Sequence, residues 1–451
     1  MSNNIVLKKG LDIPIAGAAE TRVSKSIAPE RAAIVPSDYK GLMPRLLVKE
    51  GDTVKAGSPV FADKSNPDIL VTSPVSGTIA EVVRGEKRKL LAVLVNADEE
   101  QKYAEFDVKG HENFDADKIR QILLASGLWA GLIQRPYGVV AHPAKQPKGI
   151  FISGFNTAPL APCAQFAHEG DFAAIQTAVA LLGRFAPVHV GVDSEDSFLC
   201  KLKGVQIHVF KGQHPAGNVG VQIANISPIK KDETVWTLNL VIASAIGRLF
   251  LKGRVDLRRK VAVTGPACLN PSYVETISGM PVACLKSYYG NTDNIRCISG
   301  DVLSGAKVGE NGYLRLQDEQ VTFIIEGNEK ELFGWARPFR FNQFSSDHSY
   351  FHWLFKPFIG KKKYELDTNL HGGPRAFVMS DGYYSKVLPM DIYPVFLVKA
   401  CIAQDIEKME KYGIYEVLPE DLALCEYIDP SKNYIQDIIA KGIDLMIKEM
   451  A

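Results

Sequence analysis

The stretch that decides the fold begins at Leu46 and ends at Val95, and it reads LLVKEGDTVKAGSPVFADKSNPDILVTSPVSGTIAEVVRGEKRKLLAVLV. Short apolar runs rich in β-branched residues alternate there with turn-forming residues such as Glu50-Gly51-Asp52, Ala56-Gly57-Ser58 and Ser76-Gly77. This alternation is typical of strands joined by tight turns. It predicts a small, flattened β-sandwich with two similar halves.

Two phrases of this stretch, EGD-x-V-x-x-G at 50–57 and SP-x-SG-x-I at 73–79, resemble the biotinyl/lipoyl carrier modules. A carrier module presents a lysine on an exposed hairpin, usually between two methionines. In the corresponding hairpin, residues 63–68, Lys64 is the only lysine and no methionine flanks it. We therefore expect Lys64 to be an ordinary surface lysine and the module to be structural.

The totals describe an ordinary globular chain. Its 451 residues suffice for about three domains, and its net charge of +1 argues against a nucleic-acid partner. We expect no transmembrane segment, because the longest apolar candidate, 235–251, contains Asn239 and Arg248. The seven cysteines form no C-x-x-C pair, so we expect reduced thiols without a zinc site or iron–sulfur cluster.

The rest of the chain changes character several times. Residues 1–45 form an extended lead-in, and we expect its stretch VLKKGLDIPIAG (6–17) to form a strand and a loop that lie against the carrier-like module. Strands alternating with helices then predict a doubly wound α/β domain; its predicted strands are 150–153, 188–192 and 205–210, and its predicted helices are 118–124, 171–182, 217–226 and 235–251. Short strands with glycine turns follow from Arg259 to Glu326. From Asp391 onward the pattern is helical.

Several phrases together resemble the A-subunit family of the bacterial Na+-translocating NADH:quinone oxidoreductase. They are KKGLDIPIAG (8–17), VKEGDTVKAGSPVFADK (48–64), SPVSGTI (73–79), HPAGNVGVQI (214–223), IGRLFLKG (246–253), ISGDVLSG (298–305) and DLALCEYIDPSK (421–432). The architecture also resembles the C-subunit family of the Rnf electron-transport complex and, more distantly, the flavoprotein subunit of respiratory complex I.

The resemblance implies an α/β and α+β multidomain fold with four parts. These are a lead-in plus biotinyl/lipoyl-like β-sandwich at 1–100, a Rossmann-like α/β domain at 101–255, a β-grasp (soluble-ligand-binding) domain at 256–330, and an aromatic-rich segment with a C-terminal helical domain at 331–451.

Departures from the relatives bear on cofactors. The complex I relative closes a glycine-rich loop on the flavin phosphate, but here Ser126–Gly138 reads SGLWAGLIQRPYG, with Trp129, Gln134, Arg135 and Tyr137 crowding the loop. The related cluster domains carry four cysteine ligands, whereas the helical region offers only Cys401 and Cys425, and Asp429 stands where another cysteine often follows. We expect no flavin, cluster or metal in this chain.

Other candidate sites are weaker. Gly217-Asn218-Val219-Gly220 opens a predicted helix and could attract an anion, although a structural turn is the better interpretation. His348 and His352 could share a helical face, but further metal ligands are lacking. Ten of the 41 aromatic residues lie between Phe333 and Phe358; they either close a core or contact a partner or quinone site, the candidate contacts being Trp335, Phe351, Trp353 and Phe355.

The resemblance therefore implies a peripheral subunit on the cytoplasmic face of the bacterial inner membrane, with the other subunits of the membrane-embedded complex as partners. That complex reduces ubiquinone or menaquinone with NADH, exports Na+, and holds its flavins and iron–sulfur centres in other subunits. We expect no catalytic residues in this chain, and a role in quinone binding and assembly. The alternatives are a subunit of the Rnf type, a flavin-binding oxidoreductase subunit, or a lipoyl- or biotin-carrying protein.

Overall fold

The computed structural model describes residues 3–290, 294–309, 312–328, 334, 337–346, 350, 362–369 and 381–450. This part of the chain contains four sheets and a set of C-terminal helices. The multidomain mixed fold predicted from the sequence is confirmed.

The carrier-like module consists of two small sheets that pack face to face. In spatial order, one contains Arg31–Ile34, Leu90–Ala97, Gly77–Arg84 and Thr53–Val54, and the other contains Pro44–Leu46, Pro59–Asp63 and Leu70–Thr72. Apolar side chains such as Phe61 and Val93 fill the space between them and are fully buried. Gly77 has φ +155°, and a Cβ there would lie 1.8 Å from the Asn96 carbonyl oxygen, so the SP-x-SG phrase requires its glycine.

The α/β domain contains a seven-stranded sheet. Its spatial order is Asn3–Val6, Gln206–Lys211, Val188–Val192, Ile150–Ser153, Val235–Leu238, Ile133–Arg135 and Val139–Val140. The first five strands are parallel. Ile133–Arg135 runs antiparallel to them, and Val139–Val140 runs antiparallel to Ile133–Arg135. Helices cover the sheet at Ala116–Ala125, Ala164–His168, Phe172–Leu182, Val219–Ile226 and Leu240–Lys252.

The predicted helix over 235–251 is wrong in its first four residues. Val235–Leu238 is a strand whose four side chains are all buried, since a valine, a tryptophan and a threonine suit the interior of a sheet that is covered on both faces. Asn239 then caps the helix Leu240–Lys252, and its Oδ1 accepts a hydrogen bond from the Ile242 N–H at 3.1 Å. The uninterrupted apolar run had concealed this boundary.

The β-grasp domain is built on a six-stranded sheet. The order is Ala306–Val308, Ile295–Ser299, Gln320–Ile325, Arg258–Thr264, Ser272–Ile277 and Glu20–Ser26, and a short helix, Lys286–Tyr289, crosses between strands. The strand that closes the domain, Gln320–Ile325, lies at the centre and runs parallel to the one that opens it, Arg258–Thr264. This arrangement agrees with the β-grasp prediction.

The helical domain forms a core of its own. Its helices are Asp381–Val387, Pro394–Ala403, Ile406–Tyr412, Ala423–Ile428 and Ile435–Met450. The predicted helical run from Asp391 is broken at Gln404, which has φ 56°, and Asp405 caps the next helix by accepting a hydrogen bond from the Lys408 N–H at 3.1 Å. Leu397, Ile414 and Ile439 are among its fully buried residues.

The prediction that residues 6–17 lie against the carrier-like module is wrong, and most of the lead-in contacts other domains. Asn3–Val6 pairs with the α/β sheet, Ile13 and Ile15 lie in the core of the helical domain, and Glu20–Ser26 pairs with the β-grasp sheet. Arg31–Ile34 and, at the end of the lead-in, Pro44–Leu46 join the carrier-like module. Backbone hydrogen bonds to distant strands decide these positions, and local composition carries no information about them.

Candidate functional site

A cavity of about 360 Å³ lies at the carboxyl ends of the parallel strands in the α/β domain. It opens beside Gly154 and Asn239, which directly follow two neighbouring strands, Ile150–Ser153 and Val235–Leu238. From Ile150–Ser153 the chain continues to Val188–Val192, which pairs with one edge of that strand. Val235–Leu238 pairs with its opposite edge. Such a reversal of strand order is where doubly wound sheets bind their ligands.

Three domains contribute to the wall of this cavity, which we call the three-domain cavity. The β-grasp domain supplies Asp301 and Glu319, and the helical domain supplies Leu418 and Glu420. The α/β domain supplies most of the remaining wall, including Arg135. Relative movement of these domains would therefore change the size of the cavity.

Arg135 connects the α/β domain to the helical domain through a buried ion pair. Its side chain is 2% exposed; Nη1 lies 2.8 Å from Asp421 Oδ2, and Nη2 lies 3.0 Å from Glu420 Oε1. Burial alone would lower the pKa of Arg135, but the two carboxylates more than compensate and raise it. The guanidinium therefore remains charged inside the protein.

The Asp421 carboxylate also lies against the first turn of the helix Val219–Ile226. A Cβ at Gly220 would lie 2.3 Å from Asp421 Oδ2 and 2.4 Å from Arg135 Nη1, so no free space remains between them. Helix N-termini attract anions because their first N–H groups are unpaired and the helix dipole is positive there. Asp421 Oδ2 accepts from Arg135 and from the Leu418 N–H, and no N–H group of this helix donates to the carboxylate. Gly220 is therefore required for close packing against the ion pair.

The three-domain cavity is rich in acidic groups. Asp301, Asp318, Glu319 and Glu420 line it, and Arg135 is the one arginine or lysine among its described lining residues. Burial lowers the pKa of His214, which keeps this lining imidazole neutral. His168, another lining residue, forms a hydrogen bond through Nε2 with Glu319 Oε1. Two of the four carboxylates are paired with arginines: Asp318 with Arg315 at 2.7 Å and Glu420 with Arg135 at 3.0 Å.

The loop that corresponds to the flavin loop of the complex I relative is filled with protein atoms. A Cβ at Gly127 would lie 2.7 Å from Thr72 Oγ1, at Gly131 2.8 Å from Ile242 Cγ2, and at Gly138 2.8 Å from Leu418 Cδ1. Each glycine thus permits close packing against a neighbouring side chain. These residues do not fit a flavin phosphate.

Trp129 is the largest residue in that loop. It is fully buried within the short 3₁₀ helix Leu128–Gly131, and its Nε1 donates a hydrogen bond to the Ala141 carbonyl at 2.8 Å. Its ring centroid lies 5.2 Å from that of Trp236 and 6.0 Å from that of Phe185. The predicted crowding of the loop is therefore aromatic packing in the core.

The cysteines of the helical domain also lie in a core. Cys401 and Cys425 are buried, and burial raises the pKa of both thiols, that of Cys401 to about 12. A thiol is a poor metal ligand because only the thiolate binds strongly. Asp429 is fully buried and its Oδ2 accepts two hydrogen bonds from Asn433. Among the described residues, no group of three or more His, Cys, Asp or Glu side chains could hold a metal ion.

The hairpin that carries Lys64 lies between two strands of the carrier-like module. Lys64 is exposed, and its N–H donates to the Met43 carbonyl at 2.7 Å, which places a methionine near it in space although not in sequence. Asp63 accepts hydrogen bonds from the Met43 and Asn66 N–H groups. That Lys64 is an ordinary surface lysine stays a prediction.

The predicted contact residues Trp335, Phe351, Trp353 and Phe355 lie outside the described residues, as do the two histidines His348 and His352. The structure instead brings together residues that sequence reasoning did not connect. Arg135 and Asp421 are 286 positions apart, and His168 and Glu319 are 151 apart. The one available signal was a charged residue, Arg135, inside an otherwise apolar loop.

Fold and site together define a class: a multidomain mixed α/β chain in which a carrier-like β-sandwich, an α/β domain, a β-grasp domain and a helical domain are joined by a buried ion pair between Arg135 and Asp421. The chain belongs to the family of Na+-translocating NADH-quinone reductase A subunits. Three family models match it: the NqrA N-terminal barrel-sandwich hybrid domain over residues 5–98, the NqrA second alpha/beta domain over 114–255, and the NQRA C-terminal domain over 260–310.

Curated relatives, all of them A subunits of Na(+)-translocating NADH-quinone reductases, match over nearly the whole chain. The relative from Actinobacillus succinogenes is 36% identical over 448 residues, that from Actinobacillus pleuropneumoniae 35% over 454, and that from Haemophilus influenzae 34% over 452. Each match covers 99% of this chain and 100% of the relative. They support the main interpretation of the sequence and not the Rnf-type or flavin-binding alternatives. No helix among the described residues has both the length and the apolar character needed to cross a bilayer.

Proposed function

We propose that this chain is a cofactor-free peripheral subunit of a Na+-translocating NADH:quinone oxidoreductase. The complex would reduce ubiquinone or menaquinone with NADH and export Na+, with the flavins and iron–sulfur centres in its other subunits. The observation that carries the proposal is the full-length match to the A subunits of such complexes. The packed glycines of 127–138 and the buried thiols of the helical domain support the absence of a cofactor.

We propose further that the chain lies on the cytoplasmic face of the membrane, and that it contributes to assembly and to the quinone site. Its contacts would be Trp335, Phe351, Trp353 and Phe355, since aromatic side chains favour boundaries between apolar and wet surroundings. The chain by itself would not be catalytic.

The test is affinity purification of the tagged chain from detergent-solubilised native membranes, followed by Na+-stimulated NADH:quinone activity on the eluate. We expect membrane subunits to co-purify and the activity to be present. A solitary, colourless chain without activity, under conditions that keep the complex intact, would contradict the proposal.

Substitution of Phe351, Trp353 and Phe355 by serine tests the contacts. We expect loss of co-purifying subunits or a raised KM for quinone. The matched control replaces three other aromatic residues by serine: Tyr383, Tyr393 and Phe396, whose exposed fractions are 38%, 63% and 50%. This control variant should leave assembly of the complex intact. Equal effects in both variants would contradict the assignment of the contacts.

A further inference from the structure

A basic hairpin tip joins the strands Gly77–Arg84 and Leu90–Ala97 of the carrier-like module. Its sequence, RGEKRK over 84–89, holds four basic residues and one acidic residue, Glu86, and so has a net charge of +3. The whole chain has a net charge of only +1. Positive charge is therefore concentrated at this tip, residues 84–89, which we call the basic hairpin.

The basic side chains of this hairpin are open to solvent: Arg84, Lys87, Arg88 and Lys89. All four are exposed, and no carboxylate in the described part of the chain forms an ion pair with any of them. Arg84 Nη1 donates a hydrogen bond to the Arg88 carbonyl at 3.3 Å, which joins the tip to the end of its strand. Because the charge of the basic hairpin is not neutralised within the chain, it can attract an anionic surface.

The backbone of the turn disfavours two of these residues. The Lys89 N–H donates to the Glu86 carbonyl at 3.1 Å, and the two residues between them have positive φ, 52° at Lys87 and 60° at Arg88. This is the type I′ pattern, in which asparagine followed by glycine is strongly preferred, because a Cβ crowds the following carbonyl oxygen in the left-handed region. The stability of the turn therefore does not explain lysine and arginine here, whereas a need for positive charge at the tip does.

An exposed leucine lies beside the charges. Leu91 is 45% exposed, and its side chain crosses the hairpin at Gly85, where a Cβ would lie 2.9 Å from Leu91 Cδ1. At a membrane surface, basic side chains bind lipid headgroups while neighbouring apolar side chains enter the boundary of the acyl chains. The backbone of a nucleic acid would bind the charges but would gain nothing from the leucine.

We propose that the basic hairpin contacts the anionic headgroups of a phospholipid bilayer, with Leu91 at the boundary of the acyl chains. The choice of lipid over an acidic protein surface rests on the proposed function, which places the chain at a membrane. Each basic residue near an anionic bilayer strengthens binding about fivefold, so four of them produce a weak, reversible contact. This contact adds to attachment through other subunits.

The experiment measures cosedimentation of the folded full-length chain with vesicles, without the other subunits. One set of vesicles contains phosphatidylglycerol and phosphatidylcholine in equal parts, and the other contains phosphatidylcholine alone. We expect about half of the chain to sediment with the anionic vesicles at a lipid concentration on the order of 1 mM, and very little with the neutral vesicles. Raising the NaCl concentration from about 0.05 M to about 0.5 M should abolish the binding.

A double variant separates the charge of the hairpin from its folding. Lys87→Asn with Arg88→Gly introduces the preferred residues of the turn, so the chain should be at least as stable as the parent, yet vesicle binding should fall about thirtyfold. The matched control is Lys8→Asn with Lys9→Asn, which removes two exposed lysines that pair with no described carboxylate. This control should change vesicle binding less than about twofold, because charges away from the bilayer are screened.

Three results would overturn the proposal. One is no sedimentation with anionic vesicles in low salt at about 5 mM lipid. Another is equal loss of vesicle binding in the two double variants. The third is loss of co-purifying subunits from the hairpin variant, which would assign the basic hairpin to an acidic protein surface instead. Affinity purification of the parent chain decides the proposed function separately, so failure of one proposal is distinguishable from failure of the other.

Discussion

At the scale of single residues, the ion pair of Arg135 with Asp421 joins two domains that are distant in sequence. Neither side chain is more than 2% exposed. A buried charge without a partner has lost its hydration and gained no ion pair in exchange. Removal of one member of the pair is therefore expected to lower the free energy of unfolding strongly.

We therefore expect Arg135→Met to lower the free energy of unfolding by about 3–5 kcal/mol, because Asp421 would remain buried without its partner. Urea denaturation followed by tryptophan fluorescence measures this change. The double variant Arg135→Met with Asp421→Leu should recover most of the loss. If the double variant is as unstable as the sum of the two single variants, the pair does not act as a unit.

Asp38 gives a prediction about pH. Burial raises the pKa of its carboxyl to about 6 from 3.8, against the opposing hydrogen bond from the Leu316 N–H at 2.9 Å. The folded state thus binds a proton more tightly than the unfolded state. This contribution to stability is fully present below about pH 4, and it is lost as the pH rises through 6.

Asp38→Asn should consequently be more stable than the parent chain at pH 8, by about 2 kcal/mol, and equally stable at pH 4. Thermal denaturation of Asp38→Asn and of the parent chain at pH 4 and pH 8 measures this difference in stability. Asp52→Asn is a useful comparison, because Asp52 caps an exposed turn at the Lys49 N–H. A stability difference between Asp38→Asn and the parent that is the same at both pH values would contradict the explanation.

At the scale of elements, two helices of the α/β domain cross at unusually close range. Gly247, in Leu240–Lys252, faces Phe172–Leu182, and a Cβ on it would lie 1.8 Å from the Ala174 carbonyl oxygen. The glycine lets two backbones approach each other, although glycine is a poor helix former.

Gly247→Ala should for this reason destabilise the chain by about 3 kcal/mol, since forced separation of the helices outweighs the gain of about 1 kcal/mol in helix propensity. Gly170→Ala is the control: it lies just before the partner helix, where a Cβ would meet nothing within 4 Å. The midpoint of thermal unfolding should fall for the first variant and stay constant for the second.

Elements that depend on local pattern could be predicted, and those that depend on distant partners could not. The strands at 150–153 and 188–192 follow from short apolar runs, and the crowded loop around Trp129 follows from its composition. The boundary at Asn239 was missed because a strand and a helix that are both buried form one apolar run. The candidate site was missed because Arg135 meets Asp421 only in the folded chain.

At the scale of the whole molecule, the first 34 residues connect every domain. They contribute a strand to the α/β sheet, two isoleucines to the helical core, a strand to the β-grasp sheet and a strand to the carrier-like module. The helical domain therefore depends on a segment from the opposite end of the chain.

Replacement of Ile13 and Ile15 by serine tests this dependence. Both are buried, and each should cost about 3 kcal/mol, with the loss concentrated in the helical domain. Hydrogen exchange read by mass spectrometry should show faster exchange in 394–446 and unchanged exchange in 53–97. Val6→Ser, at a position 65% exposed in the edge strand, should change neither. Faster hydrogen exchange in 53–97 as well as in 394–446 would contradict a specific dependence of the helical domain on Ile13 and Ile15.

This arrangement of the lead-in also determines the order of events during biosynthesis. Residues 3–6 leave the ribosome long before their partner strand, which ends at Lys211, and the partners of Ile13 and Ile15 extend to Met446. At roughly 5–20 residues per second, the N-terminus waits on the order of tens of seconds before its last contacts can form. Cotranslational folding of the modules between these partners must proceed before residues 3–15 have made their last contacts, so this segment is among the last to dock.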